Sequence, residues 1–230
     1  MLNWQQSCGL DQSHLVPVTD ALGKQFLVHQ NIVGDLTRLF SKAEKDGILI
    51  SIVSAYRSFE HQLSIWNDKW QGHRPVFSRH GRPLAVSKMS DIEKYKAICL
   101  WSALPGMSRH HWGTDLDIFN ASAINDGYKV ELQPEEFYRG GPCESLNTWL
   151  HDNLEEFGFF RPYQQYQQGV AEEPWHISHK ITAQQILDSF DYDACRQHLE
   201  KSDIKSAGFI GNQIEHYKDK YFRNIYKSTS

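Results

Sequence analysis

Long apolar runs and an excess of positive charge are both missing from this 230-residue sequence. No stretch approaches the roughly 20 consecutive apolar residues that a membrane-spanning helix needs, so we expect no membrane span. Residues 1–18 also lack the basic segment followed by an apolar segment that marks a secretory signal. The formal net charge of -4 argues against a protein that binds phosphate backbones, so we expect no nucleic-acid partner.

Cysteine is scarce, and its positions are too far apart to form a Cys-x-x-Cys pair. This spacing disfavours a thiolate metal site or a thioredoxin-type redox motif. We expect buried free thiols, and the even count leaves disulfides open if the protein is exported. The four residues are Cys8, Cys99, Cys143 and Cys195.

Hydrophobic periodicity predicts several helices and a few short strands. Apolar residues recur at three- and four-residue spacing over 31–45, which indicates a helix with one buried face. The β-branched run over 48–53 indicates a buried strand, which places Arg57 just past its end. Further helices are predicted over 58–70, 91–101 and 144–157, and two or three more follow residue 181, one of them over 211–226.

The segment 114–118 alternates apolar and polar side chains. This pattern predicts a half-buried strand that carries Asp115 and Asp117 on the same face. The following residues, 120–141, combine turn residues with no sustained periodicity, which predicts an inserted, lid-like loop.

Residues 163–169 are polar and aromatic, which predicts a surface loop or hairpin, and Pro174 favours extended backbone over 175–178. We find no internal repeat and no linker, so the sequence predicts an α+β fold in one domain. That domain covers residues 1–230, with a core at about 30–190 and a C-terminal helical extension at about 191–230.

The sequence contains 12 histidines, so spacing must decide which of them bind a metal. His110 lies in a loop and Asp117 follows on the predicted strand, so a tight turn at Gly113 would bring both side chains to one cation. Alone, this pair is a weak signal.

A second motif places Glu173 three residues before His176, with the large aromatic Trp175 between them to exclude water. Two imidazoles and one carboxylate leave the fourth zinc position for water, and a neighbouring glutamate can take the proton of that water. The two motifs together therefore predict a hydrolytic site with one zinc ion.

Three blocks resemble the VanY-like D-alanyl-D-alanine carboxypeptidase branch of the LAS metallopeptidases, which are zinc enzymes that trim bacterial peptidoglycan peptides. The resemblance covers residues 54–176 and implies a small antiparallel sheet that carries the zinc site and is flanked by helices, the LAS or hedgehog-like peptidase fold. It also implies one Zn²⁺ ion and peptidoglycan stem peptides or muropeptides as partners. The blocks are Ser54-Ala55-Tyr56-Arg57-Ser58-x-x-x-Gln62, Ser108-x-His110-x-x-Gly113-x-Asp115-x-Asp117 and Glu173-x-Trp175-His176.

By position, the resemblance implies that the metal ligands are His110, Asp117 and His176. It implies that Glu173 is the general base and later the general acid, and that Arg57 donates to the developing oxyanion or to the terminal carboxylate of the substrate. Two roles stay open for Ser108, a substrate contact or a loop cap. Tyr56 is expected either to contact the substrate or to pack in the interior. Trp175 is expected either to form a pocket wall or to belong to the core. The candidate substrate contacts are Tyr56, Gln62, Ser108, Asp115 and Trp175.

One position departs from the family pattern, because Asp115 stands where the family carries a small apolar residue. Asp115 shares a strand face with Asp117, so it competes for the metal or orients His110 or His111. His111 itself is expected off the metal, as a supporting or substrate-side group.

The resemblance favours a D,D-carboxypeptidase that removes a terminal D-Ala. A D,D-dipeptidase, a muropeptide endopeptidase and a non-catalytic zinc-stabilised module that binds cell-wall peptides stay open as alternatives. The family substrate indicates the cell envelope or periplasm, whereas a native start at Met1 without a signal would indicate the cytoplasm. The oligomeric state is open.

Overall fold

A computed structural model of the chain describes residues 1–123 and 128–226. Helices and small antiparallel sheets make up the fold, which confirms the predicted α+β class. The helices are Trp4–Ser7 (α1), Val33–Lys45 (α2), Phe59–Gln71 (α3), Asp91–Cys99 (α4), Glu144–Asn153 (α5), Lys180–Asp188 (α6), Tyr192–Lys201 (α7) and Ala207–Tyr217 (α8); the strands are Leu15–Thr19 (β1), Gln25–His29 (β2), Ile50–Ser54 (β3), Asp115–Asn120 (β4), Phe159–Phe160 (β5) and His176–His179 (β6).

The central sheet has four antiparallel strands in the order β3-β4-β6-β5. Its register pairs Asp117 with Ser54 on one side and with His176 on the other. The prediction of a half-buried strand at 114–118 was wrong, because every residue of β4 is buried. The physical reason is that β4 is an interior strand whose Leu116 and Ile118 join the apolar core, while its acidic face lies under side chains from neighbouring elements.

Buried apolar side chains form two clusters. One cluster joins α3 and α4 to the three C-terminal helices and includes Trp66, Trp112 and Tyr217. The other packs α2 and α5 against the sheet and includes Trp175. The organisation as a single domain stays a prediction.

Several predicted elements differ from the structure at their ends. The predicted helix over 31–45 begins at Val33, because a 3₁₀ turn precedes it with His29 as its cap. The predicted helix over 211–226 begins earlier, at Ala207, and ends in a π-helical turn, Lys218–Phe222. Residues 124–127 of the predicted lid-like loop, and 227–230 of the predicted extension, lie outside the described residues.

The N-terminal segment packs behind the first histidine motif and was not predicted. The Ser7 carbonyl accepts a hydrogen bond from the indole Nε1 of Trp112 at 3.1 Å. The Gly9 carbonyl accepts from the Tyr56 hydroxyl at 3.0 Å and from the Phe59 backbone N–H at 2.9 Å. The hairpin β1-β2 follows, and its first strand contains Pro17, which weakens a strand signal in sequence.

All four cysteines are buried free thiols, as expected. Among the described residues, no helix is long and apolar enough to cross a membrane.

Candidate active site

A tight turn brings the first two predicted ligands together. Residues Arg109–Trp112 form a 3₁₀ turn that ends at Gly113, whose φ of 70° lies in the left-handed region. A Cβ atom at Gly113 would lie 2.8 Å from the backbone nitrogen of His29, so only glycine fits between this turn and β2. The chain therefore reverses between His110 and Asp117.

The side chains of His110, Asp117 and His176 converge at one point. Nε2 of His110 lies 3.3 Å from one carboxylate oxygen of Asp117, and Nδ1 of His176 lies 3.3 Å from the other. One ligand atom from each of the three residues lies within 4.8 Å of the others, and all three residues are buried. Two imidazoles and a carboxylate suit zinc in both type and number.

Hydrogen bonds on the far sides of the two rings fix which nitrogen faces the metal position. Nδ1 of His110 donates to the Ala55 carbonyl at 2.8 Å, so Nε2 faces inward. Nε2 of His176 donates to Oδ1 of Asp115 at 3.0 Å, so Nδ1 faces inward. Such partners hold an imidazole in one orientation and raise its basicity as a ligand.

Asp115 lies behind His176 and is fully buried. Its carboxylate accepts hydrogen bonds from Nε of Arg109 at 2.7 Å and from the hydroxyls of Thr114 and Ser178 at 2.7 and 3.0 Å. From the sequence, Asp115 was expected to contact the substrate, to compete for the metal, or to orient His110 or His111. The structure instead pairs Asp115 with His176, because β4 and β6 are adjacent and bring the two side chains together.

The electrostatics of the three residues favour a bound cation. Burial alone would raise the pKa of Asp117, but His110 and His176 lower it well below its usual range. Burial alone would lower the pKa of His176, but hydrogen bonds to Asp115, Asp117 and Glu173 raise it well above its usual range. Asp117 therefore stays ionised, and the acidic side chains around His176 stabilise positive charge at the position where a cation would bind.

Glu173 lies beside the metal position without belonging to the three-residue group. Its Oε2 lies 3.1 Å from Nδ1 of His176, and its backbone N–H donates to the Tyr163 carbonyl at 3.0 Å. Burial raises the pKa of Glu173. A carboxylate with increased proton affinity next to a metal position is suited to general acid–base chemistry.

Arg57 lines the same cleft and is held by two side chains. Its guanidinium donates to Oε1 of Gln62 at 2.8 Å and to the hydroxyl of Ser54 at 3.0 Å. Its Nη2 lies 4.0 Å from Asp117, and its side chain is 18% exposed, so part of the fork faces the cleft.

Two predicted substrate contacts point away from the cleft. The Tyr56 hydroxyl donates to Gly9 in the N-terminal segment. Gln62 is fully buried, and its amide donates to the Ala103 carbonyl at 2.7 Å while its carbonyl holds Arg57. Gln62 therefore positions Arg57 and is out of reach of a substrate.

Ser108 and Trp175 line the cleft, Ser108 where a substrate contact was predicted and Trp175 where a pocket wall was predicted. Trp175 stacks on Trp101, with ring centroids 6.2 Å apart. His111 is buried, and its Nδ1 donates to the Arg57 carbonyl at 2.6 Å while Nε2 accepts from the Gly106 N–H at 3.0 Å. It is therefore a supporting residue rather than a substrate-side one.

Lys69 and Tyr163 are among the residues that line this cleft of about 410 Å³ and that the sequence did not single out. Tyr163 was predicted in a surface loop, but it is 9% exposed and its ring lies 5.0 Å from that of His176. Lys69 follows Gln62 by seven residues on α3. This two-turn spacing could have placed it on the same helix face.

A buried group of two histidines and one carboxylate, with a further glutamate beside it in an open cleft, is typical of metallohydrolases. The model of the VanY family, D-alanyl-D-alanine carboxypeptidase, matches residues 25–181, and the chain belongs to this family.

Two relatives extend the comparison. An uncharacterised protein of Haemophilus influenzae is 31% identical over 129 residues, which cover 55% of this chain and 95% of that protein. The D-alanyl-D-alanine carboxypeptidase of Enterococcus faecalis is 32% identical over 144 residues, which cover 61% of this chain and 44% of that protein.

Solved structures of VanY-type peptidases share the fold. VanYB in complex with D-alanine-D-alanine gives a TM-score of 0.51 at 21% identity, with 82% of this chain and 90% of that chain covered. A mutant of the vancomycin-resistance D,D-pentapeptidase VanY in complex with Zn(II) gives 0.50 at 22% identity, with 76% and 86% covered.

Proposed function

We propose that this chain is a zinc-dependent D,D-carboxypeptidase that hydrolyses the terminal D-Ala peptide bond of peptidoglycan stem peptides. The observation that carries the proposal is the convergence of His110, Asp117 and His176 beside Glu173 in one cleft. Family membership supports the reaction class, and the related structures that contain D-alanine-D-alanine and Zn(II) support the substrate and the metal.

In this proposal, His110, Asp117 and His176 hold the zinc ion, which when bound supplies Lewis-acid activation of water and of the scissile carbonyl. Glu173 accepts a proton from the attacking water. The same carboxyl group then returns the proton to the leaving amine of D-Ala. The burial that raises the pKa of Glu173 favours both steps, because it strengthens the base and increases the proton affinity of the carboxyl group that must later act as the acid.

Arg57 donates to the carbonyl oxygen as negative charge develops on it. Its guanidinium is held by Gln62 and Ser54, so the donor is in place before the reaction begins. Trp175, stacked on Trp101, forms an apolar wall that excludes water from one side of the cleft.

The test uses the zinc-loaded protein and a stem pentapeptide that ends in D-Ala-D-Ala, with products identified by mass spectrometry. We expect release of one D-Ala. Glu173→Gln should reduce kcat by about 10²- to 10⁴-fold while zinc content stays unchanged. The matched control is Glu172→Gln, because Glu172 is adjacent in sequence but contacts Arg79 and Tyr138 on the surface.

Other outcomes would overturn the proposal. Release of a D-Ala-D-Ala dipeptide would indicate a dipeptidase, and cleavage inside a cross-linked muropeptide would indicate an endopeptidase. Binding of the peptide by the zinc-loaded protein, with no cleavage by either the wild type or the Glu173→Gln variant, would indicate a binding module.

A further inference from the structure

Lys69 is a half-buried cation in the wall of the candidate active site. It lies near the end of α3, lines the cleft, and donates from Nζ to the Ser102 hydroxyl at 2.6 Å. Within residues 1–123 and 128–226, no carboxylate lies within 4.0 Å of this ammonium group. A lysine with a neutral hydroxyl as its partner in a substrate cleft is suited to binding an anionic group of the substrate.

The charges around Lys69 strengthen this interpretation. The pKa of Lys69 is lowered to about 8, mainly by burial. The positive charges of Arg57 and Arg74 contribute to this lowering, whereas the negative charge of Glu173 opposes it. Arg74 already pairs with Asp68 at 3.2 Å on the surface, with 45% of its side chain exposed. An incoming carboxylate would therefore stabilise the charged form of Lys69.

Lys69 and Arg57 occupy one continuous wall. Gln62, two helical turns before Lys69 on α3, holds Arg57 with its carbonyl and binds the Ala103 carbonyl with its amide. Ala103 directly follows Ser102, the partner of Lys69. The guanidinium beside the metal position and the ammonium group are thus joined through the same helix and the same loop.

The C-terminal helices close the cleft on the side of this loop. The Tyr217 hydroxyl accepts a hydrogen bond from the Leu104 backbone N–H at 3.0 Å, two residues after Ser102. Tyr217, Tyr221 and Phe222 all line the cleft. The loop that carries the partner of Lys69 is therefore held by Tyr217, and aromatic side chains from the C-terminal segment line the same cleft as Lys69.

We propose that Lys69 binds the C-terminal α-carboxylate of the peptide substrate and thereby makes the enzyme exo-acting. This inference rests on the proposed carboxypeptidase function and assigns its specificity. Arg57 then donates to the scissile carbonyl oxygen and not to the terminal carboxylate of the substrate, which decides between the two roles that the sequence left open. Lys69 is a specificity-determining residue in this scheme, because it contacts the substrate away from the bond that is cleaved.

The test compares two stem pentapeptides that differ in one group, a C-terminal D-Ala carboxylate and the corresponding C-terminal carboxamide. The zinc-loaded wild type should cleave the acid with a kcat/KM about 10- to 100-fold above that for the amide, as expected for a charge-assisted hydrogen bond. Lys69→Met, which keeps an unbranched side chain, should lose this preference by a rise in KM for the acid alone. Lys69→Arg should retain most of it.

The matched control is Lys96→Met, which removes an exposed lysine from α4 and should leave both substrates unaffected. Thermal unfolding and zinc content of each variant establish that it is folded and loaded. An active wild type that cleaves acid and amide equally would overturn the assignment of Lys69 while leaving the proposed function intact. An equal loss on both substrates in Lys69→Met would also overturn it. A wild type inactive on every stem peptide would overturn the proposed function, and this inference with it.

Discussion

Oδ1 of Asp115 accepts a hydrogen bond from Nε2 of His176 at 3.0 Å, on the edge of the ring opposite the metal position. The same oxygen accepts from Nε of Arg109 at 2.7 Å, in a pair whose side chains are almost fully buried. The carboxylate therefore balances a buried guanidinium and orients a metal ligand at the same time. Although burial alone would raise the pKa of Asp115, Arg109 and His176 lower it well below its usual range, so it remains an anion.

Replacing this carboxylate should weaken metal binding. We expect Asp115→Asn to reduce zinc affinity by about 10- to 100-fold, because His176 loses its charged orienting partner. Competition with a chromogenic chelator measures the change. Asp91→Asn, at an exposed position in the first turn of α4, serves as the control and should bind zinc as the wild type does. Unchanged affinity in Asp115→Asn would show that His176 is oriented without Asp115.

Gln62 offers a test of preorganisation of Arg57. We expect Gln62→Met to lower kcat by about tenfold or more with little change in zinc content, because Arg57 loses one of its two neutral side-chain partners. Steady-state kinetics on the stem pentapeptide measures the effect, with the exposed Gln71→Met as control. A rise in KM alone, at constant kcat, would contradict a role at the carbonyl oxygen.

The sequence was sufficient for the parts of the site that depend on local spacing. His110, Asp117, Glu173 and His176 lie in two short motifs, and the turn at Gly113 and the strand that follows bring the first pair together as expected. The larger helices were also predicted, because their apolar periodicity extends over three turns or more.

The supporting contacts depend on the tertiary structure and could not be predicted from spacing. From the sequence, Asp115 was expected to orient His110 or His111. It lies beside His176 instead, and only the register of β4 against β6 determines this position. Tyr217 lies 113 residues from Leu104, its hydrogen-bond partner, and no local pattern links them. The N-terminal hairpin was missed because its strands are short and half exposed.

The pH dependence of specificity should follow Lys69. Its pKa in the folded protein is lowered to about 8, first by burial and then by Arg57 and Arg74, with Glu173 opposing. Below this pH the ammonium group is charged and binds the carboxylate, and above it the charge is lost. We therefore expect the acid-to-amide ratio of kcat/KM to fall as pH rises through about 8. The titration of groups that affect both substrates equally cancels in this ratio. A ratio that stays constant from about pH 6.5 to about 9.5 would contradict the prediction.

Tyr217 should stabilise the fold through its hydroxyl. Tyr217→Phe leaves the buried Leu104 N–H without its acceptor, so we expect the free energy of unfolding to fall by about 1–3 kcal/mol. Urea denaturation measures the change. Tyr138→Phe, at an exposed position, is the control and should change stability by less than about 0.5 kcal/mol. Equal effects of the two substitutions would show that the Leu104 N–H finds another acceptor.

His29 should make the protein sensitive to acid. Burial, followed by the charge of His14, lowers the pKa of His29 to about 4, below its value of 6.5 in the unfolded chain. The unfolded state then binds the proton more tightly, so stability is complete above about pH 6.5 and decreases as pH falls towards about 4.

His29→Asn should reduce this loss, because asparagine retains an acceptor for the Asn31 N–H but does not titrate. Urea denaturation of both proteins at about pH 7.5 and about pH 5 measures the difference. The wild type should lose more stability between the two pH values than the variant does. Identical losses would assign the acid sensitivity to other groups.

The carbonyls of Ser7 and Gly9 also limit how far this protein can be shortened. The family match begins at residue 25, yet these two carbonyls accept from Trp112, Tyr56 and the Phe59 backbone behind the first histidine motif. A fragment trimmed to 25–181 would leave these donors unsatisfied and would also remove the C-terminal wall of the cleft. Expression of a minimal catalytic fragment should therefore give an insoluble or poorly folded product, and affinity tags should be added outside these segments rather than in place of them.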